Sequence, residues 1–183
     1  MNRRSEYDGV GQEGFEQIFR DCYGAVVRYT ARRVGAEAVQ DVVSETFLIA
    51  WRRRGELRGE PLPWLLGIAR RVAANQRRAG RRREDLARRV QLEPTAPRPS
   101  GGEPGLRDRQ LAAALASLRE RDREALLLVV WDGLEHRAAA KVMGCTTGAL
   151  TVRVHRARRR LAHALAEGGA ECVRFHHNAE ALR

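Results

Sequence analysis

The chain has a single lysine, Lys141, only three cysteines, and aromatic side chains at 5% of its 183 residues. It also lacks any apolar run near the roughly 18 residues that a membrane span requires, and residues 1–14 are polar with no signal-peptide core. These absences predict a cytoplasmic protein with no membrane insertion. Cys22, Cys145 and Cys172 are odd in number, far apart and free of CxxC spacing, which argues against a disulfide framework and the common zinc modules. No nucleophile paired with a base, no phosphate-binding glycine loop and no closed metal site can be read in the sequence. No catalysis, no metal and no cofactor are therefore expected.

What the chain has is arginine: 33 of its 34 basic residues, against 23 acids, for a formal net charge of +11. Arginine in place of lysine is the mark of a GC-rich coding sequence. The surplus of positive charge points to a polyanionic partner, because each cation laid against nucleic acid releases condensed counterions. The charge is unevenly spread. Residues 1–51 net -2, residues 52–89 net +9, residues 93–107 are neutral and residues 108–183 net +4.

Four of the six prolines fall in residues 93–107, with three glycines and almost no apolar side chain, so this stretch reads as a flexible linker. It separates a block of residues 1–92 from one of residues 108–166, followed by a tail, 167–183. Neither block shows the alternating pattern of strands. The predicted fold is all-α, two small helical domains joined by the linker, the C-terminal one a helix-turn-helix.

In the first block, Phe15, Phe19, Cys22 and Val26 space a helix over about 12–33, ended by Gly35. A second, over about 36–53, turns Val39, Val43, Phe47 and Ala50 or Trp51 inward and leaves Asp41 and Glu45 one turn apart on another face. Pro61 and Pro63 break the chain, with Pro63 in the first turn of a third helix that carries Leu65, Ile68 and Val72 inward. In the second block, Leu111, Leu115 and Leu118 are followed by an apolar run over 123–131 that reads as buried on most sides. A short helix over about 136–143, a turn at Gly144-Cys145-Thr146 and a long helix over about 147–166 then give helix-turn-helix spacing. Trp51 and Trp64 read as core residues.

The residues Asp41-Val-Val-Ser-Glu45-Thr-Phe47-Leu-Ile-Ala-Trp51, then Trp64-Leu-Leu-Gly-Ile-Ala-Arg70 and Asn75-Gln-Arg-Arg78, resemble the second conserved region of the extracytoplasmic-function (ECF) sigma factors of bacterial RNA polymerase. Arg121-Asp-Arg-Glu124, Trp131-Asp-Gly-Leu134 and His155-Arg-Ala-Arg158-Arg-Arg-Leu161 resemble the fourth. The resemblance covers roughly residues 12–166. It implies that Asp41, Glu45, Leu48 and Arg52 face core polymerase, at the clamp helices of the largest subunit, with the flap as a second contact. By the same resemblance, Arg58, Arg70, Asn75, Arg77 and Arg78 bind the promoter -10 element as it opens, and the loop 54–62 cradles an extruded base.

The resemblance places the long helix in the major groove at the -35 element. Thr147, Ala149, Thr151 and Val152 then meet base edges at its start, and Arg153 and Arg156 make specific contacts. Arg158 and Arg159 grip phosphate. Thr146 or Thr147 can cap this helix. Two departures weaken the helix before it: Glu135 stands where the family has a capping serine, and Ala138 and Ala139 replace larger side chains. Arg71 stands where the family has asparagine. An anti-sigma factor is a further implied partner. The alternative reading is a helix-turn-helix regulator that does not bind core polymerase as a sigma subunit. In the tail, Cys172, His176 and His177 are the only candidate metal-binding set, and a weak one.

Overall fold

The structure, a computed structural model, describes residues 11–89 and 106–180, with side chains over 11–82 and 109–166. Its described residues form seven α-helices and one 3-10 turn, with no strand. The chain divides into two compact units, Met1–Ser100 and Gly101–Arg183.

In the first unit three helices pack pairwise: α1 (Gln12–Ala31), α2 (Ala36–Arg52) and α3 (Pro61–Arg89). The inward stripe of α1 is Phe15, Ile18, Cys22, Val26 and Tyr29, at steps of three and four that keep one face toward the core. Phe19 is not part of it. With Ile18 pointing inward, Phe19 falls about 100° round the helix and stays 41% exposed, its ring against Phe47 at 4.7 Å and Tyr23 at 5.1 Å.

Gly35 does not end α1 either. The helix stops at Ala31, where the N–H groups of Arg33 and Val34 both turn back to the Thr30 carbonyl, and Gly35 is the extended N-cap of α2. Val42, Val43, Thr46, Phe47 and Ala50 form the buried face of α2, while Val39 and Trp51 are half-buried at its edges. Pro61 and Pro63 both sit in the first turn of α3, where the missing N–H groups would have had no helical acceptor. Leu65, Leu66, Ile68, Ala69, Val72 and Ala73 then close the core. Burying a side chain such as leucine or isoleucine contributes about 1.5–3 kcal/mol, so this face holds the bundle together.

The second unit packs α7 (Thr147–Glu180) against α5 (Glu120–Val130), α4 (Leu106–Ser117) and α6 (His136–Met143). Only the last two positions of the stretch read as linker, Leu106 and Arg107, are among the described residues, and they open α4. The apolar run 123–131 is buried on one side only. Leu126 and Leu128 are enclosed, but Val130 and Trp131 at the helix end are 54% and 55% exposed. The turn after α6 is made by Gly144 in the left-handed conformation (φ 62, ψ 44), which lets the Cys145 N–H donate to the Ala140 carbonyl at 3.0 Å. A residue with a Cβ is strained there. The backbone of α7 continues past Ala166 to Glu180 because nothing between them, the Gly168-Gly169 pair included, ends the helix. The side chains of Cys172, His176 and His177 lie outside those described.

Candidate functional site

Asp41, Glu45, Leu48 and Arg52 recur at steps of four, three and four, which at about 100° per residue keeps them within roughly 60° of one another. All four are exposed, and their stripe lies opposite the buried face of α2. Leu48, 48% exposed, puts an apolar side chain between two carboxylates and a guanidinium. Such a surface suits a partner helix with basic and apolar side chains.

Beyond α2 the 3-10 turn Arg54–Glu56 and the following residues fold back on themselves. Arg53 donates to the Glu56 carboxylate at 2.5 Å, and that hydrogen bond together with the opposite charge holds the Glu56 carboxyl below the usual carboxylate range. The Arg54 guanidinium lies 4.1 Å over the Trp51 ring and donates to the Trp51 carbonyl at 3.0 Å. Arg58 donates to the carbonyls of Gly55 and Leu57 at 2.8 and 3.0 Å. Leu57, 2% exposed, pins the segment to the core. Three loop arginines thus stiffen the loop, and Arg58 meets a ligand only through its remaining donors.

On α3 the four other residues assigned to the -10 element do not form one patch. Asn75 and Arg78 are exposed on one face, Arg78 donating to the Asn75 side-chain oxygen at 2.5 Å, so the donors of the Asn75 amide are not used in that bond. Arg70 and Arg77 are half-buried and lie roughly 120° round the helix from that pair. Arg77 instead lines an open cleft of about 470 Å³ with Arg81, Glu37 and Asp41, on the side of α2.

In the second unit the Thr146 hydroxyl accepts from the Ala149 N–H at 3.2 Å, so Thr146 is the N-cap of α7 and Thr147 its first residue. Glu135, at the corresponding position of α6, makes no side-chain cap bond. Leu150, Val154 and Ala157 anchor α7. Opposite them, Val152, Arg156 and Arg159 line a shallow groove of about 400 Å³ together with His155, Arg160 and His163. Thr151 and Arg158 are exposed on one flank, and the Thr151 hydroxyl donates to the Thr147 carbonyl at 3.0 Å. Ala149 and Arg153 are half-buried on the other flank.

Sequence reasoning passed over His155 and His163. Their spacing from Val152 and Arg159 was the available signal. It also placed Trp51 and Trp64 in the core, whereas both are half-buried with an accessible side. Periodicity gives a direction, not how much of a large ring the neighbours cover.

Two sequence profiles match the chain: "Sigma-70 region 2" over residues 3–83 and "Sigma-70, region 4" over residues 108–161. The "ECF RNA polymerase sigma factor EcfG" of Rhodopseudomonas palustris is 34% identical over 138 residues, covering 74% of this chain and 76% of that protein. The "Probable RNA polymerase sigma factor RfaY" of Xanthomonas campestris pv. campestris is 31% identical over 159 residues. That match covers 80% of this chain but only 39% of the longer relative. Among solved structures, the sigma factor RpoE in complex with the anti-sigma factor NepR, from Bartonella quintana, superposes with a TM-score of 0.67 at 26% identity. It covers 84% of this chain and 98% of that one. The chain belongs to the ECF group of the sigma-70 family of RNA polymerase sigma factors.

Proposed function

We propose that this protein is the promoter-recognition subunit of RNA polymerase: it binds the core enzyme, recognises the -35 and -10 elements, opens the -10 region and performs no catalysis of its own. The observation that carries the reading is the α2 stripe. Asp41, Glu45, Leu48 and Arg52 form one exposed line on a unit with its own buried core, separate from the helix-turn-helix that carries the other basic surface. A regulator that only bound duplex DNA would have no use for that unit.

In this reading the stripe docks on the clamp helices of the largest subunit, and the second unit also meets the flap. The stiffened loop with Arg58, and the open face of α3 with Asn75 and Arg78, take the -10 strand, with Arg70 and Arg77 supplying charge from the flank. Extruding a base costs a few kcal/mol, which those contacts offset. Val152, Arg156 and Arg159 enter the major groove at the -35 element. Thr147, Ala149, Thr151 and Arg153 stand beside them, and Arg158 reaches phosphate. The protein works in the cytoplasm, where polymerase and template are, and an anti-sigma factor that covers these surfaces, as NepR binds RpoE, is its regulator.

The test mixes purified protein with sigma-free core polymerase and a promoter library. Specific transcripts are expected. Silence from the polymerase, with tight duplex binding by the protein alone, would establish the helix-turn-helix regulator instead.

A further inference from the structure

The cleft of about 470 Å³ beside Arg77 has walls of opposite sign. Its α2 wall carries Glu37 and Asp41 and its α3 wall Arg77 and Arg81, each pair about one helical turn apart. Glu37, Asp41 and Arg81 are exposed, and among the described residues none of the three makes a hydrogen bond or an ion pair. Neither carboxylate therefore pairs with either guanidinium across the gap. The two rows are close enough to line one cleft and too far apart to neutralise each other, which leaves room for a third group that touches both.

The α2 wall is also the end of a longer row. Glu37, Asp41 and Glu45 follow one another at steps of four, and with Leu48 and Arg52 they stay within roughly 80° of the helix circumference. Like charges at this spacing repel along a helix, and α2 has no lysine or arginine before Arg52 to relieve them. Among the described residues no basic side chain from another helix pairs with them either. The fold thus keeps three uncompensated carboxylates in line, and the line leads into a cleft whose far wall is basic.

We propose that the polymerase-docking surface runs past Asp41 over Glu37 and across this cleft onto α3, and that the element of the core enzyme seated on it carries basic side chains along the row and an acidic one at its end, held by Arg81 with Arg77 beside it. A row of carboxylates closed by guanidinium groups fixes the register in which a partner lies, because a shift along α2 brings like charges together. The inference rests on the sigma reading above and adds to it Glu37 and Arg81, which belong neither to the stripe nor to the -10 set.

The experiment measures affinity for core polymerase, without DNA, for wild type, Glu37→Arg, Arg81→Glu and the variant that carries both changes, and melts each free protein. Glu37 lies in the first turn of α2, where a cation is unfavourable, so the neutral Glu37→Gln is its second variant. Each single reversal is expected to weaken binding about tenfold, Glu37→Gln less, and the doubly reversed protein more than either single one, because the partner's charges stay where they are. Recovery of wild-type affinity in the double variant would mean that the two residues need only each other, and the extension would fall. Wild-type affinity in Arg81→Glu, with affinity lost on reversal of Asp41 and Glu45, would end the docking surface at α2 and leave the sigma reading standing. If the wild-type protein does not bind core polymerase, the sigma reading falls and the extension falls with it.

Discussion

Arg160 on α7 reaches across 38 residues of sequence to the Asp122 carboxylate on α5, with its Nη1 3.3 Å from Oδ2. The Asp122 side chain is 6% exposed and that of Arg160 43%, so the two partners are not equivalent. Removing Arg160 strands a buried carboxylate, whereas removing Asp122 frees a guanidinium that can turn to water. Arg160→Ala should therefore destabilise the protein by about 1–3 kcal/mol and Asp122→Asn by less, measured by urea unfolding. Equal losses would mean that the buried carboxylate does not depend on its partner.

The same pair separates the arginines of α7 by task. Arg158→Ala should weaken binding to all duplex sequences alike and flatten the salt slope by about one unit. Arg156→Ala should weaken discrimination between promoters. Arg153→Ala should do so less, since Arg153 is half-buried on the flank that also bears Arg160. Filter binding across a salt series, on promoter and non-promoter DNA, distinguishes the three.

Reversing Asp41 and Glu45 to arginine should abolish binding to core polymerase and leave the fold intact. Both side chains are exposed on the face of α2 turned away from the core. Surface substitutions of this kind usually change stability by less than about 0.5 kcal/mol. Unchanged affinity for the core enzyme would remove the docking role from this stripe.

The two helices of the helix-turn-helix are capped unequally. Thr146→Ala removes the hydroxyl that accepts from the Ala149 N–H and should cost about 1 kcal/mol, while Glu135→Ser supplies the missing cap of α6 and should add about 0.5–1 kcal/mol. Thermal melts of both variants check the signs.

Burial, then the neighbouring Asp21 carboxylate, pushes the Cys22 thiol from 9.0 up to about 11. A pKa raised by folding gives stability that is complete below the unfolded value and lost as pH climbs to the folded one. Stability should thus decline between about pH 9 and 11, with that component absent from Cys22→Ala, whose overall stability is lower because of the cavity. Below pH 9 the thiol stays protonated and should resist alkylation in the folded protein, which mass spectrometry can follow.

Much of this architecture is local and so could be read from residue order. The short helix His136–Met143 appears at the predicted positions because its apolar period and the glycine after it are both properties of neighbouring residues. The alignment of Asp41, Glu45, Leu48 and Arg52 follows from the helical period alone, and the two-block distribution of arginine is a count along the chain. What residue order could not supply is how each side of a helix meets its neighbours. Phe19 lies one position from the inward residue and remains exposed, and Trp51 is half-covered by an arginine three residues on.

By itself, then, the sequence determined which segments of the two blocks are helical, how the charge is divided and which family the motifs belong to, because these depend on spacing along the chain. Tertiary structure decided which arginines are free. Arg160 is held by an aspartate from another helix, Arg77 faces α2 across a cleft, and Arg54 lies over the Trp51 ring. A guanidinium's availability depends on which acids, carbonyls and rings packing brings within about 4 Å of it, and those partners can be distant in sequence.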